Sequence, residues 1–148
     1  MSQRKTSSNN PEDWLAFADA ELDALRLLSA NKTAFLMCRS KCAEVLEKIM
    51  KAELIFMGWP LIKTHDLQQL ADELKVRGSD HVERIQPLAE ELSEYYVVGR
   101  YPGFDLDERE DWAALVVQVE RVAEYANRVR QAIAENHSNP ESNAGAGT

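Results

Sequence analysis

Five side chains in this sequence have the character and placement to meet an anion. Lys48 and Lys51 lie three residues apart in EKIMKAELIF, His65 follows Thr64 in THDL, and Arg100 and Tyr101 stand side by side in YYVVGRYPGF. An ammonium is a compact charge matched to phosphate oxygens, a guanidinium grips two such oxygens at once, and a neighbouring ring can stack on a base. With Lys41, the two lysines form a basic strip along one helix. His65 and Asp66 fall in the first turn of another, where unpaired N–H groups and the helix dipole favour negative charge. Phosphate, or a nucleotide carrying it, is the ligand chemistry these residues share.

Each stretch also has a plain structural reading. Lys48 and Lys51 can belong to a solvated face, with Glu44 and Glu47 as partners one turn away. Thr64 and Asp66 can cap a helix and leave His65 exposed. Gly99 can end a helix and Pro102-Gly103 can turn the chain, so that Arg100 and Tyr101 merely occupy a rigid corner.

Other chemistries find less support. Three scattered histidines and the acidic residues offer neither a zinc-binding HExxH spacing nor a calcium loop, and no Gly-rich phosphate loop, nucleophile elbow or Cys–His pairing occurs. Neither metal nor cofactor is expected. Cys38 and Cys42, one turn apart in an apolar pattern, suit reduced core thiols.

With 148 residues, of which 45% are hydrophobic, the chain suits one domain around one core. Its net charge of −8 argues against general nucleic-acid binding. The charge is unevenly spread: residues 26–63 hold seven Lys/Arg against three acids, whereas residues 64–136 hold eight against sixteen. The longest uncharged apolar run, Leu54–Ile62, is interrupted by Gly58 and Pro60 and is too short to span a bilayer. The polar opening MSQRKTSSNNPED does not resemble a secretion signal, so a cytoplasmic location is expected.

The elements that must position these residues are all helical. The apolar spacing predicts an all-α, up-and-down bundle of four long helices plus one short helix. The first helix is predicted from about Pro11 to Ala30, with Trp14, Phe17, Ala18, Leu22, Leu25 and Leu28 as its stripe. Asn31 breaks it, and the second is predicted over about Lys32–Met57. An apolar arc close to half its circumference makes that helix central, or part of a subunit interface. Arg39 and Glu53 fall inside the arc and therefore need partners or a polar cleft. Glu44, Glu47, Lys48 and Lys51 fall opposite. Gly58 and Pro60 stop the helix.

Thr64 is expected to cap a short third helix over Asp66–Val76. The fourth begins between Asp80 and Pro87 and reaches Val98, with Pro87 either opening it or lying within it. The last is predicted over about Asp107–Ala134. The domain then covers residues 11–135, between tails at 1–10 and 136–148 expected to be disordered.

In succession, Glu47-Lys48-Ile49-Met50-Lys51-Ala52-Glu53-Leu54, the Gly58/Pro60 turn, Thr64-His65-Asp66-Leu67 and Tyr95-Tyr96-Val97-Val98-Gly99-Arg100-Tyr101-Pro102 resemble the HEPN domain (higher eukaryotes and prokaryotes nucleotide-binding). The resemblance covers roughly residues 11–134. It implies a helical bundle, commonly a homodimer, that binds a nucleotide and often works beside a minimal nucleotidyltransferase in toxin–antitoxin-like modules. Lys48, Lys51, His65, Arg100 and Tyr101 are then its candidate nucleotide- or phosphate-binding residues.

One branch of the family comprises metal-independent RNases with an R-x(4–6)-H motif. Arg100 is followed by YPGFDL and lacks the histidine; the formal match from Arg130 to His137 is expected to run off the last helix into the tail. RNase chemistry is therefore not expected. A pure protein-interaction module, with the apolar turn Ile55–Ile62 and its Trp59 as contact surface, is the alternative.

Overall fold

The computed structural model describes residues 8–60, 63–98 and 110–138, with backbone alone for residues 95–98 and 137–138. Within them the chain forms five helices: α1 (Pro11–Ala30), α2 (Phe35–Phe56), α3 (Leu67–Val76), α4 (Val82–Val98) and α5 (Trp112–Ser138). Four are long and α3 is short, giving the predicted all-α bundle.

Local chemistry explains the boundaries. Asn10 caps α1 by accepting from the Glu12 N–H at 3.0 Å, Pro11 occupies the first turn, and Trp14 Nε1 donates to the Ser8 carbonyl at 2.8 Å. Residues 8–10, assigned from sequence to a tail, thus help to cap the helix. Asn31 ends α1 as expected, but α2 does not start at Lys32. Lys32 and Ala34 both adopt left-handed backbone, with φ of 48° and 57°, which delays the next helix to Phe35.

Gly58, at φ 89°, turns the chain out of α2 while the Trp59 N–H returns to the Leu54 carbonyl at 2.9 Å. Trp59 is thereby folded into the core, so it cannot serve as the contact surface considered above. Asp66, rather than Thr64, caps α3: its Oδ1 accepts from the N–H groups of Gln68 and Gln69 at 3.0 and 3.2 Å. Thr64, two residues earlier, accepts from the Asp66 N–H. Pro87 lies inside α4. Asp111 caps α5 through the Ala114 N–H, and α5 continues past Ala134 to Ser138.

Helix α2 packs against all four other helices. Cys38, Cys42, Val45, Leu46, Ile49 and Ala52 line its core face, and both cysteines are free and buried. Burial pushes the Cys42 thiol up to about 12. On α1 the expected stripe holds at Ala18, Leu22 and Leu25, with Trp14 and Leu28 packed against the core; Leu15 joins it, whereas Phe17 is 64% exposed. Two α2 lysines lie beside α1 rings, Lys48 at 6.0 Å from the centre of Phe17 and Lys51 at 5.4 Å from that of Trp14.

Leu46 is fully buried in the middle of α2. Leu46→Ala should lower unfolding free energy by about 2–5 kcal/mol in urea melts, since the packed surroundings close such a cavity only in part.

Candidate functional site

The predicted basic strip is present, but each lysine on it faces a carboxylate. Glu21 of α1 receives Lys48 directly and has Lys41 at 3.9 Å, while Lys41 also pairs with Glu44 at 3.1 Å. Lys48 stays partly accessible, 6.0 Å from the centre of the Phe17 ring.

Lys51 and Glu47, expected on the solvated face, are both buried. Their ion pair is 2.9 Å long, and the ammonium also lies 5.4 Å from the centre of the Trp14 ring. Burial is tolerable because the two charges face each other across one helical turn. The cause of the mistaken exposure is that α2 is enclosed by neighbours on more than its apolar arc.

Glu47 also reaches the corner before α3, where His65 Nδ1 lies 3.1 and 3.2 Å from its two oxygens. The structure therefore joins Lys51 and His65 through one carboxylate, with His65 largely exposed above a buried ammonium. The α3 N-terminus itself is taken by Asp66, so it leaves less room for the anion expected there. Arg100 and Tyr101 lie outside the described residues.

Of the two charged residues inside the apolar arc, Arg39 lies over the Phe35 ring at 5.1 Å. Glu53 is buried and accepts from Tyr125 Oη at 2.6 Å and Ser79 Oγ at 2.7 Å. Ser79 in turn accepts from the His81 N–H. Thus one carboxylate ties α2 to α5 and to the entry of α4.

Sequence reasoning missed a second cationic region. Between α4 and α5 lies a cavity of about 450 Å³ whose lining includes His81, Arg84, Arg121, Glu124, Tyr125 and Arg128. Arg121, Tyr125 and Arg128 recur at the spacing of one helical face, a signal legible in the sequence but hidden by the acidic character of residues 64–136. Among the described residues, no group of three His, Cys, Asp or Glu side chains could hold a metal ion, and no helix is long and apolar enough to cross a membrane.

The formal RNase pair needs correction. Because α5 extends to Ser138, Arg130 and His137 both lie on that helix instead of running off its end. The Arg130 guanidinium is held by Asp19 of α1 at 2.5 Å and by Asn127 at 2.8 Å.

A family model of the HEPN domain matches residues 11–129, and the chain belongs to that family. No curated protein and no solved structure matches it.

Two measurements probe the buried charges. Lys51→Met should destabilise the fold by about 3 kcal/mol or more, because it removes the buried ammonium that faces the buried Glu47 carboxylate. A denaturant series for Lys51→Met beside Glu47→Gln/Lys51→Met should show the double variant to be the more stable. Burial, then the charge and hydrogen bond of Glu53, hold the Tyr125 phenol well above its ordinary value of 10.0. A raised folded value favours the neutral form, so this stabilisation is complete below about pH 10 and erodes as the unfolded phenol ionises above it. The alkaline decline in stability should be shallower in Tyr125→Phe, measured by urea melts from about pH 8 to about pH 11.

Proposed function

We propose that this HEPN-domain protein is a non-catalytic binding module for a nucleotide or another phosphate-bearing group, working in the cytoplasm as a homodimer beside a minimal nucleotidyltransferase. The observation that carries the ligand reading is the sharing of Glu47 between Lys51 and His65. It holds a buried ammonium and an exposed imidazole on one carboxylate, at the corner where α2 gives way to α3. Lys48 stands on the same helix with its side chain partly exposed. An incoming phosphate would compete with Glu21 and Glu47 for these cations.

Arg100 and Tyr101 belong to the proposal through their resemblance to the family pattern, with the guanidinium as anion partner and the ring for stacking. The non-catalytic reading is supported by Arg130, whose side chain is engaged by Asp19 and Asn127. Partnership with a nucleotidyltransferase is proposed on the family resemblance alone.

Titration with ATP and GTP, read by melting temperature at low and moderate salt, tests the reading. The midpoint should rise with the logarithm of nucleotide concentration and rise less at higher salt. Lys48→Ala and His65→Ala should each blunt that response without abolishing folding, because both side chains are at least partly exposed. A flat midpoint for the wild-type protein would sink the ligand reading. Degradation of RNA that disappears in His137→Ala would replace the non-catalytic reading by an RNase one.

A further inference from the structure

The cleft between α4 and α5 has a character the α2 strip lacks. On α2, Lys41, Lys48 and Lys51 are matched by Glu21, Glu44 and Glu47. The cleft instead gathers three guanidinium groups, from Arg84, Arg121 and Arg128, around Glu124, with Glu83 as the other acid in its lining. Arg128 donates to Glu124 Oε1 through Nε at 3.1 Å and Nη2 at 2.9 Å, and Arg84 approaches the same oxygen from α4 at 3.9 Å. Arg121 adds its field to this carboxylate but makes no hydrogen bond or ion pair with any described residue.

The combined pull of the arginines, first the Arg128 hydrogen bond, holds the exposed Glu124 carboxyl below its ordinary value. One small oxyanion thus already sits where forks from two helices converge. It is tethered to α5 and exposed to water, so another oxyanion can take its place.

Behind the guanidinium rim the lining becomes apolar. Ile85 and Leu88 are buried on α4, and Tyr125, its hydroxyl turned inward to Glu53, is buried beside them, so the three form the floor beneath His81 and Pro87. His81 stands beside that ring, centroids 6.2 Å apart and planes tilted by 59°. A volume of about 450 Å³ falls in the range of small-molecule sites.

We infer that the α4–α5 cleft binds a phosphate monoester carried on a small planar or apolar body, with Glu124 as a built-in competitor that occupies the arginine forks when the ligand is absent. The phosphate takes the position of the Glu124 carboxylate, Arg121 supplies the additional cation that a dianion needs, and the organic body rests against His81 and Pro87, the lining residues that reach the surface. This site is separate from the α2–α3 corner and does not depend on the reading given for it.

Phenyl phosphate, inorganic phosphate and phenol distinguish the parts of the inference when each is titrated calorimetrically into the full chain. Phenyl phosphate should bind with one-to-one saturation, inorganic phosphate more weakly, and phenol without saturation. Arg121→Ala and Arg128→Ala should each weaken phenyl phosphate by about tenfold, the weight of one hydrogen bond to a charged group. Glu124→Gln should tighten it by a similar factor, about tenfold, since it removes the competitor while keeping the shape.

Arg77→Ala, which removes an exposed arginine outside the cleft, should leave the affinity unchanged and so controls for overall charge. Chemical shifts of the arginine Nε–H groups, recorded on the same samples, report site occupancy whether or not a variant loses stability. Absence of saturable binding in both wild type and Glu124→Gln overturns the inference. So does weaker binding in Glu124→Gln, equal loss in Arg77→Ala, or equal affinity for phenyl and inorganic phosphate. Failure here leaves the nucleotide response of Lys48 and His65 untouched, and their failure leaves this titration untouched.

Discussion

Helix α2 is enclosed by all four of its neighbours, and every charge along its buried length must therefore find a partner inside the bundle. Glu47, Lys51 and Glu53 are each almost wholly buried. Lys51 meets Glu47 on its own helix and the Trp14 ring on α1; Glu47 extends to His65; Glu53 gathers Tyr125 from α5 and Ser79 from the link into α4. These contacts are directional where the surrounding Leu, Ile and Ala contacts are not. Apolar burial drives the helices together, while the polar pairs restrict the rotation and axial position at which α2 can sit.

The same constraint shapes what the charged residues can do. A lysine already met by a carboxylate in a water-poor setting is a weaker recruit for an outside anion than its formal charge implies, since the guest must replace an existing partner. That is the condition of Lys51, and in part of Lys48. The arginines between α4 and α5 lie nearer water, where exchange of one oxyanion for another costs less. Local surplus of cation over anion, rather than the number of cations, therefore separates the two regions of a chain whose net charge is −8.

The architecture was legible because it follows from periodicity and punctuation. The α1 span, the Gly58 stop and the apolar core face of α2 each have a local cause that a sequence displays. The start of α2 did not, because Lys32 and Ala34 adopt left-handed backbone that their side-chain types do not advertise. The exposure of Glu47 and Lys51 was misread for a different reason. A helical wheel orders side chains around one axis but carries no information on how many neighbours surround it. Lys51 and His65 were singled out separately, yet the carboxylate that joins them was visible only as a neighbour of Lys51. Arg121 and Arg128 went unremarked because a charge balance taken over a long acidic segment averages away a cluster that only folding brings to Arg84.

The cleft follows from the centrality of α2. Helices α4 and α5 each pack extensively on α2 and only sparingly on one another, so a furrow remains where their outer surfaces diverge. Cylinders whose axes lie about 8–10 Å from a shared partner can close such a furrow only with long side chains. Tyr125 does not serve that purpose, because its hydroxyl is drawn inward to Glu53 and its ring becomes part of the floor. Arginine stems from positions 84, 121 and 128 cover the edges instead, carrying their charged heads to the water boundary. The buried carboxylate that fixes α5 against α2 thus also sets the Tyr125 ring in the floor beneath that cationic rim.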